Sequence, residues 1–215
     1  MIHSAITSRA GKFLVIHEES FSSVGISSNV YVAKLAGKHY LFDTSGHPDV
    51  VSFLKTANVA VESISAAFLT HGHYDHTMGL ISLSKVGVPA YISMEDADLL
   101  ESSIGKVDVK DLSDSKKILR ELGLEAIATP GHSRGSVCYY AANEKLLISG
   151  DTVFSNGCFG RTDLNGGSDL EMKTSLKLLA GLNVEAILPG HGFFTMSKGR
   201  DSISAALANA AYLLR

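Results

Sequence analysis

Four side chains able to hold a metal, His71, His73, Asp75 and His76, fall within six residues of the stretch 68–79, FLTHGHYDHTMG. One imidazole can be a satisfied core group, but four such donors crowded together need a shared cationic partner. Imidazole nitrogen and carboxylate oxygen suit borderline ions such as zinc and divalent iron. His71 and His73 lie two apart, so an extended segment points both the same way onto one ion. Asp75 and His76 lie past a turn and suit a second ion. Three more donors, His132, Asp151 and His191, each follow an apolar run: LEAIATPGH, KLLISGD and VEAILPGHG. His132 and His191 can complete the two sets, and Asp151, with two carboxylate oxygens, can bridge them. Two neighbouring cations repel unless anions lie between them, and a carboxylate with a hydroxide meets that need. Such a pair lowers the pKa of bound water and draws electrons from a substrate oxygen. The chemistry implied is hydrolysis of an ester, thioester, lactone, amide or phosphodiester.

These donors need an α/β scaffold to position them. Residues 2–7, 13–18, 29–36 and 39–43 read as short strands joined by turns at Ala10-Gly11 and Gly37-Lys38, an antiparallel meander. The polar stretch 20–28 is a loop, and 48–57 opens with Pro and Asp as a helix does. A strand over 63–70 leads into the His-rich stretch, followed by a short helix from Asp75 or His76 to Ser84. Strand 88–93 and helix 94–102 come next, and 106–121 alternates first like a strand and then like a helix. Strands over 124–132, 136–142 and 145–151 follow, with a hairpin at Asn143-Glu144. Helix 170–180, strand 184–192 and helix 199–214 close the chain. The donors thus sit at strand ends, where open α/β sheets present ligands.

With 215 residues and no linker or low-complexity tract, the chain reads as a single domain over 1–215. The net charge of -3 and the lack of a dense Lys/Arg run leave no footprint for nucleic acid or an anionic bilayer, so the expected partner is a small molecule. No leader pattern and no uninterrupted apolar span appears, and the expected location is cytoplasmic. Cys138 and Cys158 are expected to stay reduced. A homodimer is left open.

The motif His71-x-His73-x-Asp75-His76, followed by TPGH at 129–132, GDT at 150–152 and PGHG at 189–192, resembles the metallo-β-lactamase superfamily over nearly the whole chain. The resemblance implies a four-layer αββα sandwich. It implies that His71, His73 and His132 hold one metal, Asp75, His76 and His191 the other, and that Asp151 bridges. The ions implied are two divalent cations, zinc first, with iron or manganese as alternatives. His71, His73, Asp75, His76 and Asp151 form the expected catalytic set. Within the superfamily, GDTVF, GCFGRTDL and TPGHSRGSVCYY resemble the glyoxalase II and persulfide dioxygenase branch. A glyoxalase II-like thioester hydrolase is expected, the alternative being a dioxygenase with a single iron on His71, His132 and Asp151. Glyoxalase II carries a C-terminal helical domain that supplies glutathione contacts, whereas 24 residues follow His191 here, so glutathione thioesters are not assumed. Asp151 stands where β-lactamases in the strict sense would usually carry Cys.

Outside the cluster, Asp43 and Thr70 are expected to orient ligand histidines. Arg161 and Asp163 are expected to clamp the long loop beneath the site, and Cys158 to be packed. His3, His17, His39 and His47 are assigned to surfaces or local hydrogen bonds. Tyr74, Tyr31, Phe21 and Phe154 are candidates to line a substrate pocket.

Overall fold

Alternation sorts the buried strand residues between two faces, and this sets the layers. In the strand Lys38–Phe42, Tyr40 and Phe42 point one way and Leu41 the other; in Leu146–Gly150, Leu146 and Ile148 oppose Leu147. Both faces of both sheets are therefore covered. The computed structural model describes residues 7–20 and 25–214. It contains a seven-stranded sheet, β1 (Thr7–Ala10), β2 (Phe13–Ile16), β3 (Val30–Leu35), β4 (Lys38–Phe42), β5 (Ile64–Phe68), β6 (Ala90–Ile92) and β7 (Lys110–Asp111), in that spatial order. Strands β1 to β4 are antiparallel, and β4 to β7 run parallel. The second sheet has four strands, β8 (Glu125–Ala128), β9 (Val137–Ala141), β10 (Leu146–Gly150) and β11 (Ala186–Pro189), ordered β11-β10-β9-β8 with only β10 and β11 parallel.

Between the sheets lies an aromatic core. The Phe42 ring is 5.4 Å from Phe68 and 5.0 Å from Tyr139, so it joins the two sheets directly. On the outer face of the first sheet pack α1 (Val50–Thr56), α3 (Leu80–Lys85) and α4 (Ala97–Ile104), through Phe53, Leu54, Leu83 and Leu100. On the outer face of the second pack α6 (Asp169–Ala180) and α7 (Gly199–Leu213), through Met172, Leu176, Ile203 and Ala206. The expected αββα sandwich is present, and each buried Leu or Phe contributes roughly 1.5–3 kcal/mol to it.

Some boundaries differ from expectation. Of the expected strand 2–7, only Thr7 lies within the described residues, where it opens β1; the turn falls at Gly11-Lys12. The helix after the His-rich stretch is two pieces, α2 (Tyr74–Thr77) and α3, separated at Met78-Gly79. A Cβ on Gly79 would lie 2.0 Å from the Thr44 carbonyl oxygen, so close backbone approach fixes that residue. Region 106–121 contributes the two-residue β7 and then α5 (Lys116–Glu121), because burial there is confined to Leu112, Ser115 and Leu119. Residue 21 lies outside the described residues, as does residue 3.

Candidate metal centre

All seven donors lie at one end of the sandwich. His71, His73, Asp75 and His76 follow β5, His132 lies between β8 and β9, Asp151 follows β10, and His191 follows β11. The backbone joins the sheets at this end, with Val137 N–H donating to Thr70 O at 2.8 Å and Asn29 N–H to Gly190 O at 2.8 Å. Three donor groups result, His71–His73–His132, His71–His76–Asp151 and Asp75–His76–His191, each with its donor atoms within 4.8 Å of one another. Asp151 faces both outer groups: its Oδ2 is 3.6 Å from His132 Nε2 and 3.5 Å from His191 Nε2. Gly190 makes room for this, since a Cβ there would sit 2.2 Å from Asp151 Oδ1 and 2.5 Å from His76 Cε1. A cavity of about 650 Å³ is lined by Leu112, Leu119, Leu124 and Val137 among others and by none of the seven donors.

Hydrogen bonds fix which ring nitrogen faces inward. Thr70 Oγ1 donates to Asp43 Oδ2 at 2.9 Å and so accepts from His71 Nδ1 at 3.0 Å. His76 Nδ1 donates to Asp43 Oδ2 at 2.8 Å, His132 Nδ1 to Arg161 O at 2.7 Å, and His191 Nδ1 to Glu18 Oε2 at 2.8 Å. Each of these four imidazoles therefore presents Nε2 to the centre. Asp43 reaches both Thr70 and His76 from a left-handed backbone, φ 58°, a conformation that costs an Asp of order 1–3 kcal/mol.

The inward atoms fit cations. His71 Nε2 is buried without a hydrogen-bond partner among the described residues. Asp151 Oδ1 is likewise unpartnered; His76 Nε2 is 3.3 Å away, an ion-pair distance without hydrogen-bond geometry. His73 Nδ1 and His132 Nε2 face each other at 2.9 Å, and His76 Nε2 and His191 Nε2 at 3.3 Å, so each nitrogen pair needs a proton or a metal ion between its lone pairs.

Without metal the two halves hold charge differently. Burial pushes His71 well below the usual imidazole range, and burial with the neighbouring His132 brings His73 down to about 4. Burial also opposes charge on His76 and His191, but carboxylates outweigh it. Asp151 and Asp43 lift His76 to about 10, and Asp151, Asp75 and Glu18 lift His191 to about 12. Asp151 is buried, which alone would raise it, yet His76 and His191 hold it well below the carboxylate range. Protons thus sit where the carboxylates demand positive charge.

Asp43 and Thr70 take the orienting positions expected of them. Glu18, Asp96 and Asn29 are additions. Asp96, buried, accepts from Gly72 N–H at 2.9 Å, Ser133 Oγ at 2.7 Å and Gly135 N–H at 2.7 Å, and so ties the His71–His73 loop to the His132 loop. Its signal, an acid after a short strand, is the one that marks Asp43. Two expectations are corrected. Arg161 pairs with Asp163 in its own exposed turn, at 2.9 and 2.8 Å, and it is the Arg161 carbonyl that holds His132. Cys158 is exposed, because its loop lies on the surface; Cys138 is buried, and both are free. Tyr31 is core, donating to Pro189 O at 2.5 Å, whereas Tyr74 is 41% exposed and the Phe154 ring is 6.3 Å from His191. His17 and His39 bond Ser8 and Ser63, each at 2.7 Å, and His47 Nδ1 accepts from Asp49 N–H at 3.0 Å.

A family model described as the metallo-beta-lactamase superfamily matches residues 24–191, which include every donor. The chain belongs to the metallo-beta-lactamase superfamily. Probable metallo-hydrolase YqgX of Bacillus subtilis is 32% identical over 185 residues, 78% of this chain and 86% of its own. A hydroxyacylglutathione hydrolase of Bartonella quintana is 37% identical over 139 residues, 65% of this chain; the matched part is 51% of the hydrolase, about half its length. The crystal structure of TTHA1623 in a di-iron-bound form has a TM-score of 0.71 at 27% identity, covering 83% of this chain and 93% of that one. Fold, relatives and donors together give a glyoxalase II-like member with a dinuclear divalent-metal site, suited to zinc or iron and to metal-dependent hydrolysis. Among the described residues, no helix is long and apolar enough to cross a membrane.

Proposed function

We propose that this chain hydrolyses a thioester, or a related ester or lactone, in the manner of glyoxalase II. The observation that carries the reading is the complete Asp75–His76–His191 group beside His71–His73–His132, with Asp151 reaching both. In this reading His71, His73 and His132 would hold one cation and Asp75, His76 and His191 the other, with Asp151 available to both. Bound divalent ions supply a water ionised near neutrality and an electrophile for the carbonyl oxygen. The chain's own groups prepare that site. His71 and His73, kept neutral by burial, offer lone pairs, and Asp43 fixes the ring of His76. Asp75 and Asp151 stay ionised beside His76 and His191. Tyr74 and Phe154 give the acyl or thiol portion an apolar wall. Hydrolysis breaks the C–S bond, the oxygen of water enters the carboxylate product, and sulfur leaves as a thiolate, a better leaving group than an alkoxide.

Likeness to the hydroxyacylglutathione hydrolase supports the thioester class. The test is metal content of protein purified without added metal, followed by assays on hydroxyacyl-glutathione, simple aryl thioesters and lactones. Two ions per chain with thioester turnover is the expected result. One iron per chain with oxygen uptake on glutathione persulfide replaces the hydrolase with the mononuclear dioxygenase.

A further inference from the structure

His191 is held from outside its own loop. It lies between Gly190 and Gly192, and its side chain keeps 22% of its surface in solvent. What holds it comes from the opposite sheet, 173 residues away: Glu18 Oε2 accepts from His191 Nδ1 at 2.8 Å, and Oε1 accepts from Gly192 N–H at 2.9 Å. Asn29 fastens the same loop. Its Nδ2 donates to Pro189 O at 3.1 Å and to Gly192 O at 2.9 Å, while its Oδ1 accepts from Glu18 N–H at 3.0 Å.

The partners of the other histidines complete a contrast. In the His71–His73–His132 group the outer nitrogens of His71 and His132 meet neutral oxygens, the Thr70 hydroxyl and the Arg161 carbonyl. In the Asp75–His76–His191 group both histidines meet carboxylates, Asp43 and Glu18. A carboxylate behind an imidazole fixes the ring and makes the inward nitrogen a stronger donor. We infer that Glu18 is a positioning residue for His191, and that with Asp43 it makes Asp75–His76–His191 the tighter of the two metal positions.

This inference rests on the metal-centre reading and is independent of substrate. The experiment is stepwise Zn²⁺ titration of metal-free wild type, Glu18→Gln and Glu18→Ala against a competing chelator, with the fold checked by circular dichroism. Two steps are expected for wild type. The tighter step weakens about 10- to 100-fold in Glu18→Gln, and at least as much in Glu18→Ala, while the weaker step stays put. A Glu18→Gln chain whose tighter step is unchanged, or whose two steps weaken equally, overturns the role of Glu18. A chain that binds no ion overturns the metal-centre reading with it. A second measurement needs no variant: wild type with one equivalent of Co²⁺ should show paramagnetically shifted N–H signals from two histidines, His76 and His191. Three such signals would place the ion on His71, His73 and His132 and overturn the ranking.

Discussion

The two sheets deliver their donors in different ways. The first supplies His71, His73, Asp75 and His76 from one stretch after β5, where a strand end and one turn of helix set every spacing. The second supplies His132, Asp151 and His191 singly, from three separate strand ends. Acceptors from the same sheet, Asp43 and Asp96, steady the first set. The second depends on acceptors borrowed across the sandwich: Asp96 for the 133–135 loop and Glu18 with Asn29 for the 189–192 loop. A metal centre built this way is half motif and half tertiary agreement.

The severest challenge to that division is Asp151→Ala, which removes the group common to both halves. Catalysis should fall by roughly 10³-fold or more, since water returns toward its bulk pKa from about 7. Elemental analysis should find fewer than two ions per chain; a variant that keeps both would show that the halves are independent. Next comes Asp96→Ala. It strands two backbone N–H groups, at about 1–3 kcal/mol each, while the Ser133 hydroxyl keeps Ser136 Oγ, so urea unfolding should show a loss of about 2 kcal/mol or more. Stability equal to wild type would mean that the His132 loop needs no distant acceptor.

A proton count sharpens the contrast further. At pH 8 the metal-free chain carries imidazolium charge on His76 and His191, lifted to about 10 and about 12, whereas His71 and His73 are neutral imidazoles. Metal loading at that pH should release about two protons, all from the carboxylate-rich half, and affinity should rise with pH because protons and cations compete there. Calorimetry in buffers of different ionisation enthalpy reads the number; a heat independent of buffer would contradict it. The smallest effect is expected of Arg161→Ala. Its exposed pair with Asp163 is of the kind that contributes little, so metal content and melting temperature should match wild type. A loss of metal would mean that the side chain, and not only the carbonyl, steadies His132.

Legibility in the sequence follows the same line. The strands were readable because period-2 burial and turn residues are local, and the seven donors because each stands at a strand end beside Gly or in a dense cluster. Periodicity predicts α2–α3 as one piece because the break at Gly79 answers to the Thr44 carbonyl, a contact 35 residues away by number that periodicity does not encode. The roles of Glu18 and Asp96 are non-local for the same reason. Each is one acid among 22 Asp and Glu residues, and the loops that each serves are set by the fold.

Gly190 carries no functional group, yet a single methyl there would meet both Asp151 and His76. In a library of every single substitution, position 190 should tolerate as little as the ligands do. A map of mutational intolerance would therefore return more positions than the centre has donors. Chemistry and clearance leave the same mark in such a map, and only the side chain present distinguishes them.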